Sequence, residues 1–183
     1  MSNISLIKAD LHAWCKWKKK KYSIVSFIML LLKYPEYRRL VDYRLSLMSL
    51  GRVFRVFTYP TTLHVNLFIA EWPNPKGGNI GPGLLFQHGF STIVFCRKMG
   101  SNCCINQQVT IGEGHGGVPS IGNNVHVCAG AKVIGNIVIG DDVIVGANAV
   151  VVKDVPSHSI VAGIPAKVIK VRKDENSVWE KIT

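Results

Sequence analysis

Apolar residues in the second half of the chain recur at a spacing of six. Ile121, Val127, Val133, Ile139, Val145 and Val151 form one row, and Val125, Ala131, Ile137, Val143, Ala149 and Val155 form another, four places on. The first row runs upstream through Ile93, Met99, Ile105 and Ile111, and earlier through Ile80 and Phe86. A ten-residue step from Ile111 to Ile121 marks an insertion around residues 114–118. A helix has period 3.6 and an amphipathic strand period 2, so six fits neither. It fits short strands joined by turns, three to a coil, stacked in parallel around an aliphatic interior. Gly122, Gly140 and Gly146 follow interior positions and suit tight corners. The expected fold is mainly β, a parallel β-helix.

The first half has a different texture. Residues 5–50 contain no glycine, and Pro35 is their only helix breaker, so an α-helical region is expected there. Residues 51–72 are apolar and are also expected to be helical, leading into the first coil. Pro73–Gly78 reads as the boundary. The organisation is then a helical region over 1–70, a β-helix over 71–171 and a tail over 172–183.

Composition adds a compartment and a surface. At 48% apolar and 18% charged residues, the chain is globular rather than disordered. Its net charge of +11 is uneven: residues 1–60 hold 12 basic and three acidic side chains, residues 61–183 ten and eight. Lys16 and Lys18–Lys21 precede the apolar run Tyr22–Leu32, with Trp14 and Trp17 before it. Eleven residues are too few to span a bilayer. A basic, aromatic-flanked helix of this kind fits peripheral membrane contact through residues 16–32. Five cysteines, an odd number without a Cys-x-x-Cys, read as reduced thiols. A cytoplasmic protein is expected, with the inner membrane face as a second location. No motif points to nucleic acid.

The pattern [Ile/Val]-Gly-x-x-[Val/Ala]-x resembles the hexapeptide-repeat acyltransferases, and residues 34–45, 80–90, 127–136 and 162–170 resemble serine acetyltransferases among them. The resemblance implies a left-handed β-helix, a homotrimer or a pair of trimers as a hexamer, and active sites between subunits. It implies acetyl-CoA as cosubstrate, with no metal, and direct acetyl transfer to a hydroxyl. Acyl transfer of this kind needs a positioned base and an orienting partner for it. By the match His88, in Leu84-Leu85-Phe86-Gln87-His88-Gly89, is the base, and Glu71 in Glu71-Trp72-Pro73 is the carboxylate that orients it. Ala129 and Gly130 in one coil and Ala147 in the next border the pantetheine arm. Lys153, Lys167 and Lys170 are suited to the adenosine phosphates.

Two departures concern the acceptor. The family has Asp directly before the base, where this chain has Gln87, and an Arg-His pair where this chain has Gly117-Val118. The family's acidic helical stretch aligns with Lys18–Lys21. A serine zwitterion would lose counter-charges worth about 1.5–3 kcal/mol each. The expected acceptor is therefore a sugar hydroxyl of a cell-surface polysaccharide precursor, contacted by Gln87; the alternative is L-serine. His115 in the shortened loop is left without a role. A zinc site built from His88, His115 and His126, as in carbonic anhydrase-like hexapeptide proteins, and a purely structural trimer are the readings from other classes.

Overall fold

In the computed structural model, residues 2–46, 66–72 and 79–182 are described. The expected boundary segment Pro73–Gly78 and most of the apolar stretch 51–72 lie outside them. Three helices come first: α1 (Asn3–Trp17), α2 (Ile24–Lys33) and α3 (Pro35–Ser46). Their starts are written in the sequence. Ser2 and Ser23 cap α1 and α2 by accepting from the amides of Ser5 and Ser26, and Pro35 opens α3, where a missing N–H costs nothing. Trp14 is fully buried, against the rings of Trp17, Tyr34 and Tyr37, and its indole N–H donates to the Leu84 carbonyl at 3.0 Å. That bond fastens the helices to the first coil.

The strands wind in coils of three, forming a left-handed parallel β-helix with flat faces. One face carries β1 (Leu67–Glu71), β3 (Thr92–Cys96), β6 (Thr110–Gly112), β9 (Lys132–Ile134) and β12 (Val150–Val151). A second carries β4 (Lys98–Met99), β7 (Ser120–Ile121) and β10 (Val138–Ile139). The third carries β2 (Leu85–Gln87), β5 (Cys104–Asn106), β8 (His126–Val127), β11 (Ile144–Val145) and β13 (Ser159–Gly163). The chain then folds back: β14 (Ala166–Val171) and β15 (Glu180–Lys181) add antiparallel strands to the third face. The residues expected to be a tail thus extend a sheet.

Every residue of the two six-spaced rows from Ile121 to Val155 is buried. One upstream member is not. Ile93 is 43% exposed and Val94 is fully buried in its place. The cause is a longer corner followed by a short step. Four residues (88–91) join β2 to β3, where the coil beneath uses only 107 and 108. Val94 then aligns with Ile111 and Met99 with Ile121, so five residues separate Val94 from Met99 and a count of six back from Met99 falls on Ile93. Residues 67–71 also depart from expectation. They form strand β1, not helix, because Leu67 and Glu71 point inward while Phe68 faces out, the two-residue alternation of a half-buried strand.

Candidate active site

His88 sits in the long corner, just beyond β2, at φ 55°, and its side chain is exposed. The His88 carbonyl accepts from the Phe90 amide at 2.7 Å, a tight turn around Gly89. Below this corner the equivalent positions stack in register. The Ala129 carbonyl accepts from the Asn148 amide at 2.9 Å, and the Gln107 carbonyl accepts from the Gly130 amide at 3.0 Å. The Gln108 amide donates to the Phe90 carbonyl at 3.0 Å, which continues the column upward to the His88 turn. Gly130 has φ 74°, and a Cβ there would lie 2.0 Å from Asn148 Oδ1, so a side chain at this position would displace Asn148. His88, Ala129, Gly130 and Ala147 therefore share one edge of the β-helix, although 59 residues separate the first from the last.

The lysines divide. Lys167 lies opposite Ala162 and Lys170 opposite Ile160. Ala162 and Ile160 are two apart on β13 and share a face, and a bulge in β14 restores the phase, so both lysines are on the outer face of that sheet. Lys167 follows the turn at the foot of the His88 edge. Lys153 does not join them. It follows β12 at the opposite end of the first face, the edge that also carries the inserted loop. There Gly114 and Gly117 exchange backbone hydrogen bonds of 3.0 and 3.2 Å, making a small hairpin, with His115 exposed at its tip and Val118 buried behind it.

Glu71 is not brought to His88 within the chain. It pairs in register with Cys96, at the far end of the ladder whose near end pairs Leu67 with Thr92, just beyond the His88 corner. Four residues of strand, about 13 Å, separate those ends. Glu71 points into the interior, 2% exposed; Tyr43 Oη donates to its Oε1, and the Asn79 amide donates to its Oε2 at 2.7 Å. Its inward parity with Leu67 makes it a cap on the first coil. Motif spacing could not show this, since it counts residues and not strand parity.

The stem of a different acidic residue packs on the His88 turn. Glu36, in the first turn of α3, is half-buried, and its Cγ lies 3.1 Å from where a Gly89 Cβ would stand. Burial pushes the Lys18 and Arg38 pKa values down, and the Glu36 charge opposes that shift. Sequence reading missed it because it lies 52 residues before His88 in a helix with no recognisable motif. The only available signal was an acid at the start of a helix, which is common as a dipole partner.

Gln87 is half-buried on β2 beside Asn106, whose Oδ1 is 3.1 Å from His126 Nε2. Burial pushes the His126 pKa down, so its ring is neutral near pH 7. His88, His115 and His126 occupy a corner, a hairpin and a sheet face, and do not converge within the chain. Burial pushes the Cys96 and Cys103 thiols up to about 12 and Cys104 to about 11, too high for a thiolate nucleophile. A groove of about 1050 Å³ lies elsewhere, between α1 and another corner, lined by His12, Lys16, Trp17, Gly83, Asn102 and Asn124, and holds none of the expected site residues.

Residues 119–153 match the bacterial transferase hexapeptide (six repeats) family. Over 145 residues the chain is 37% identical to a serine acetyltransferase of Synechococcus elongatus, covering 76% of this chain and 59% of the relative. The chain resembles serine acetyltransferases. A solved serine acetyltransferase in complex with CoA superposes with a TM-score of 0.69 at 25% identity, covering 92% of this chain and 70% of that one. The soybean serine acetyltransferase complexed with serine gives 0.67 at 28%, again covering 92% and 70%. The chain thus spans about three-fifths of the cyanobacterial serine acetyltransferase's length.

Proposed function

We propose that the protein is an acetyl-CoA-dependent O-acetyltransferase in which His88 takes the proton of an acceptor hydroxyl as that oxygen attacks the thioester carbonyl. The observation that carries this reading is the shared edge. His88 stands at the top, Ala129 and Ala147 follow two and three coils below it, and Lys167 lies at the foot. Four steps of about 4.8 Å give about 19 Å, room for an extended acyl-pantetheine arm running toward cationic side chains that suit its phosphates. Ala129, Gly130 and Ala147 keep that wall low, so the arm's amides can approach the backbone.

The cleft is completed by a neighbouring subunit in a homotrimer. That arrangement accounts for the split between the His88 edge and the edge bearing Lys153 and the Gly114–Gly117 hairpin: the second edge of one subunit faces the first edge of the next. It also accounts for the absence of the expected residues from the groove beside α1.

L-Serine is the acceptor we favour, in place of the sugar expected from sequence. The named relatives support it, and so does Glu36, an acid packed beside the His88 turn that supplies the counter-charge for an ammonium group that neutral Gln87 lacks. The sugar reading keeps one specific support: Gln87, Asn106 and neutral His126 form a ladder of uncharged hydrogen-bonding side chains beside the corner. Release of free CoA, measured with L-serine against a panel of sugars and sugar nucleotides, tests both. Turnover with a sugar exceeding that with serine would replace the acceptor, and no turnover with any hydroxyl would remove the activity.

A further inference from the structure

The outward face of α2 has no polar residue to offer solvent. Ile24, Val25, Ile28 and Leu32 are 71%, 61%, 50% and 74% exposed, and they fall on one side of the helix. The other side packs inward, through buried Leu30 and through Phe27 against Tyr37. Ile4 of α1, 54% exposed, and Tyr22, 49%, continue the apolar surface across a shallow groove between the two helices. Leaving this much aliphatic surface in contact with water costs about 25 cal/mol per Å², so the patch favours a covering partner.

Its rim is cationic. Lys8, Lys19, Lys20, Lys21 and Lys33 are all exposed around it, and the one acid among residues 2–35, Asp10, is buried against Arg44. Lys19–Lys21 lie just before the N-cap of α2, the positive end of its dipole, where lysines disfavour the helix. Helix stability does not explain them. An anionic surface would.

We propose that α2 and its lysine rim dock this protein on an anionic lipid bilayer. The aliphatic side chains enter the boundary between headgroups and acyl chains, and the lysines pair with headgroup phosphates. A second copy of the chain fits poorly, because a symmetric contact through this face would oppose the same five lysines. The element lies on the membrane and does not cross it. Ten residues of helix are about 15 Å long, half of a bilayer's hydrocarbon core, and no described helix is long and apolar enough to span. This inference stands apart from the acetyl-transfer reading, since none of its residues belongs to the proposed cleft.

Sedimentation with vesicles tests it, using the full chain with phosphatidylcholine vesicles and with phosphatidylcholine–phosphatidylglycerol vesicles. The wild type should pellet with the anionic vesicles only and be released by salt. The double variant Ile24→Ser, Ile28→Ser should lose binding tenfold or more. Each of Lys19, Lys20 and Lys21 replaced by Gln should lower partitioning about fivefold. All these positions are exposed, and an unchanged thermal midpoint would show that the variants are folded. Absence of wild-type binding to anionic vesicles would overturn the proposal, as would binding unaffected by the double variant. Lipid-independent self-association that Ile28→Asp abolishes would also overturn it, by giving the face to a second copy.

Discussion

Arg44 of α3 and Asp10 of α1 form an ion pair in the interior, Nε to Oδ2 at 2.9 Å, with both residues 0% exposed. Each also reaches the first coil. Arg44 donates to the carbonyls of Ile80 and Gly81 at 2.6 Å, and Asp10 accepts from the amides of Gly83 and Leu84 at 2.7 and 3.2 Å. The pair therefore joins two helices to the coil that leads into His88. Asp10→Ala or Arg44→Ala leaves a buried charge uncompensated and should cost about 3–5 kcal/mol, seen as a lower urea midpoint. Removing both should cost less than the sum of the two.

His88→Ala should lower turnover about 10²–10⁴-fold while leaving CoA affinity within a few-fold of wild type, as read by isothermal titration. Retention of most of the activity would take the proton-transfer role away from His88.

Glu36→Gln should raise the KM for L-serine about 10–100-fold, the worth of a charge-assisted contact, with a smaller change in kcat. If the acceptor is a neutral sugar, the same variant should leave KM nearly unchanged. Steady-state kinetics on one variant thus separates the two acceptors.

Lys167→Ala and Lys170→Ala should weaken CoA more than a pantetheine fragment lacking the phosphates. Equal losses for both ligands would make these lysines structural.

Acid should destabilise the last coils. Hydrogen bonding from Arg172, then from His158, holds the Asp142 carboxyl below its ordinary value of 3.8. A depressed carboxylate contributes stability that is present above 3.8 and lost as pH falls through the folded value. His126, depressed by burial, has the same sign and begins to act below its ordinary 6.5. The thermal midpoint should therefore fall as pH is lowered from neutral, and Asp142→Asn should flatten the part below pH 4. Arg172 also lies over the Trp179 ring at 4.3 Å, so this variant should loosen the C-terminal strands too.

Most of the β-helix could be read from the chain because one row of aliphatic residues does one job in every coil. Ile121 to Val151 needed no tertiary information to be placed inside. The errors lie where the repeat is interrupted. Ile93 was assigned to the interior by counting six back from Met99, and the step of five from Val94 to Met99 leaves it facing outward. Glu71 was assigned to the base by its resemblance to a carboxylate ahead of an x-Pro step, and strand parity turns it inward to Tyr43. Glu36 is legible only in three dimensions, since α3 is carried onto the corner by Trp14 and Arg44. Lys170 joined Lys167 on one face through a bulge that no sequence pattern announces.

The His88 corner belongs to the terminal coil of a stack in which each coil is supported mainly by its neighbours. An interior coil such as that of Ala131 has a coil above and a coil below; the first has one coil below and, on its other side, the helices, which reach it through Trp14, Arg39, Tyr43 and the Asp10–Arg44 pair. Opening of such a stack begins at its ends. The chemistry then rests on the part of the solenoid that frays first, and the helices act as its end plate. Amides of residues 84–90 should exchange with solvent sooner than those of residues 125–151. Weakening the helical cap should silence the corner while the coils beneath it remain folded.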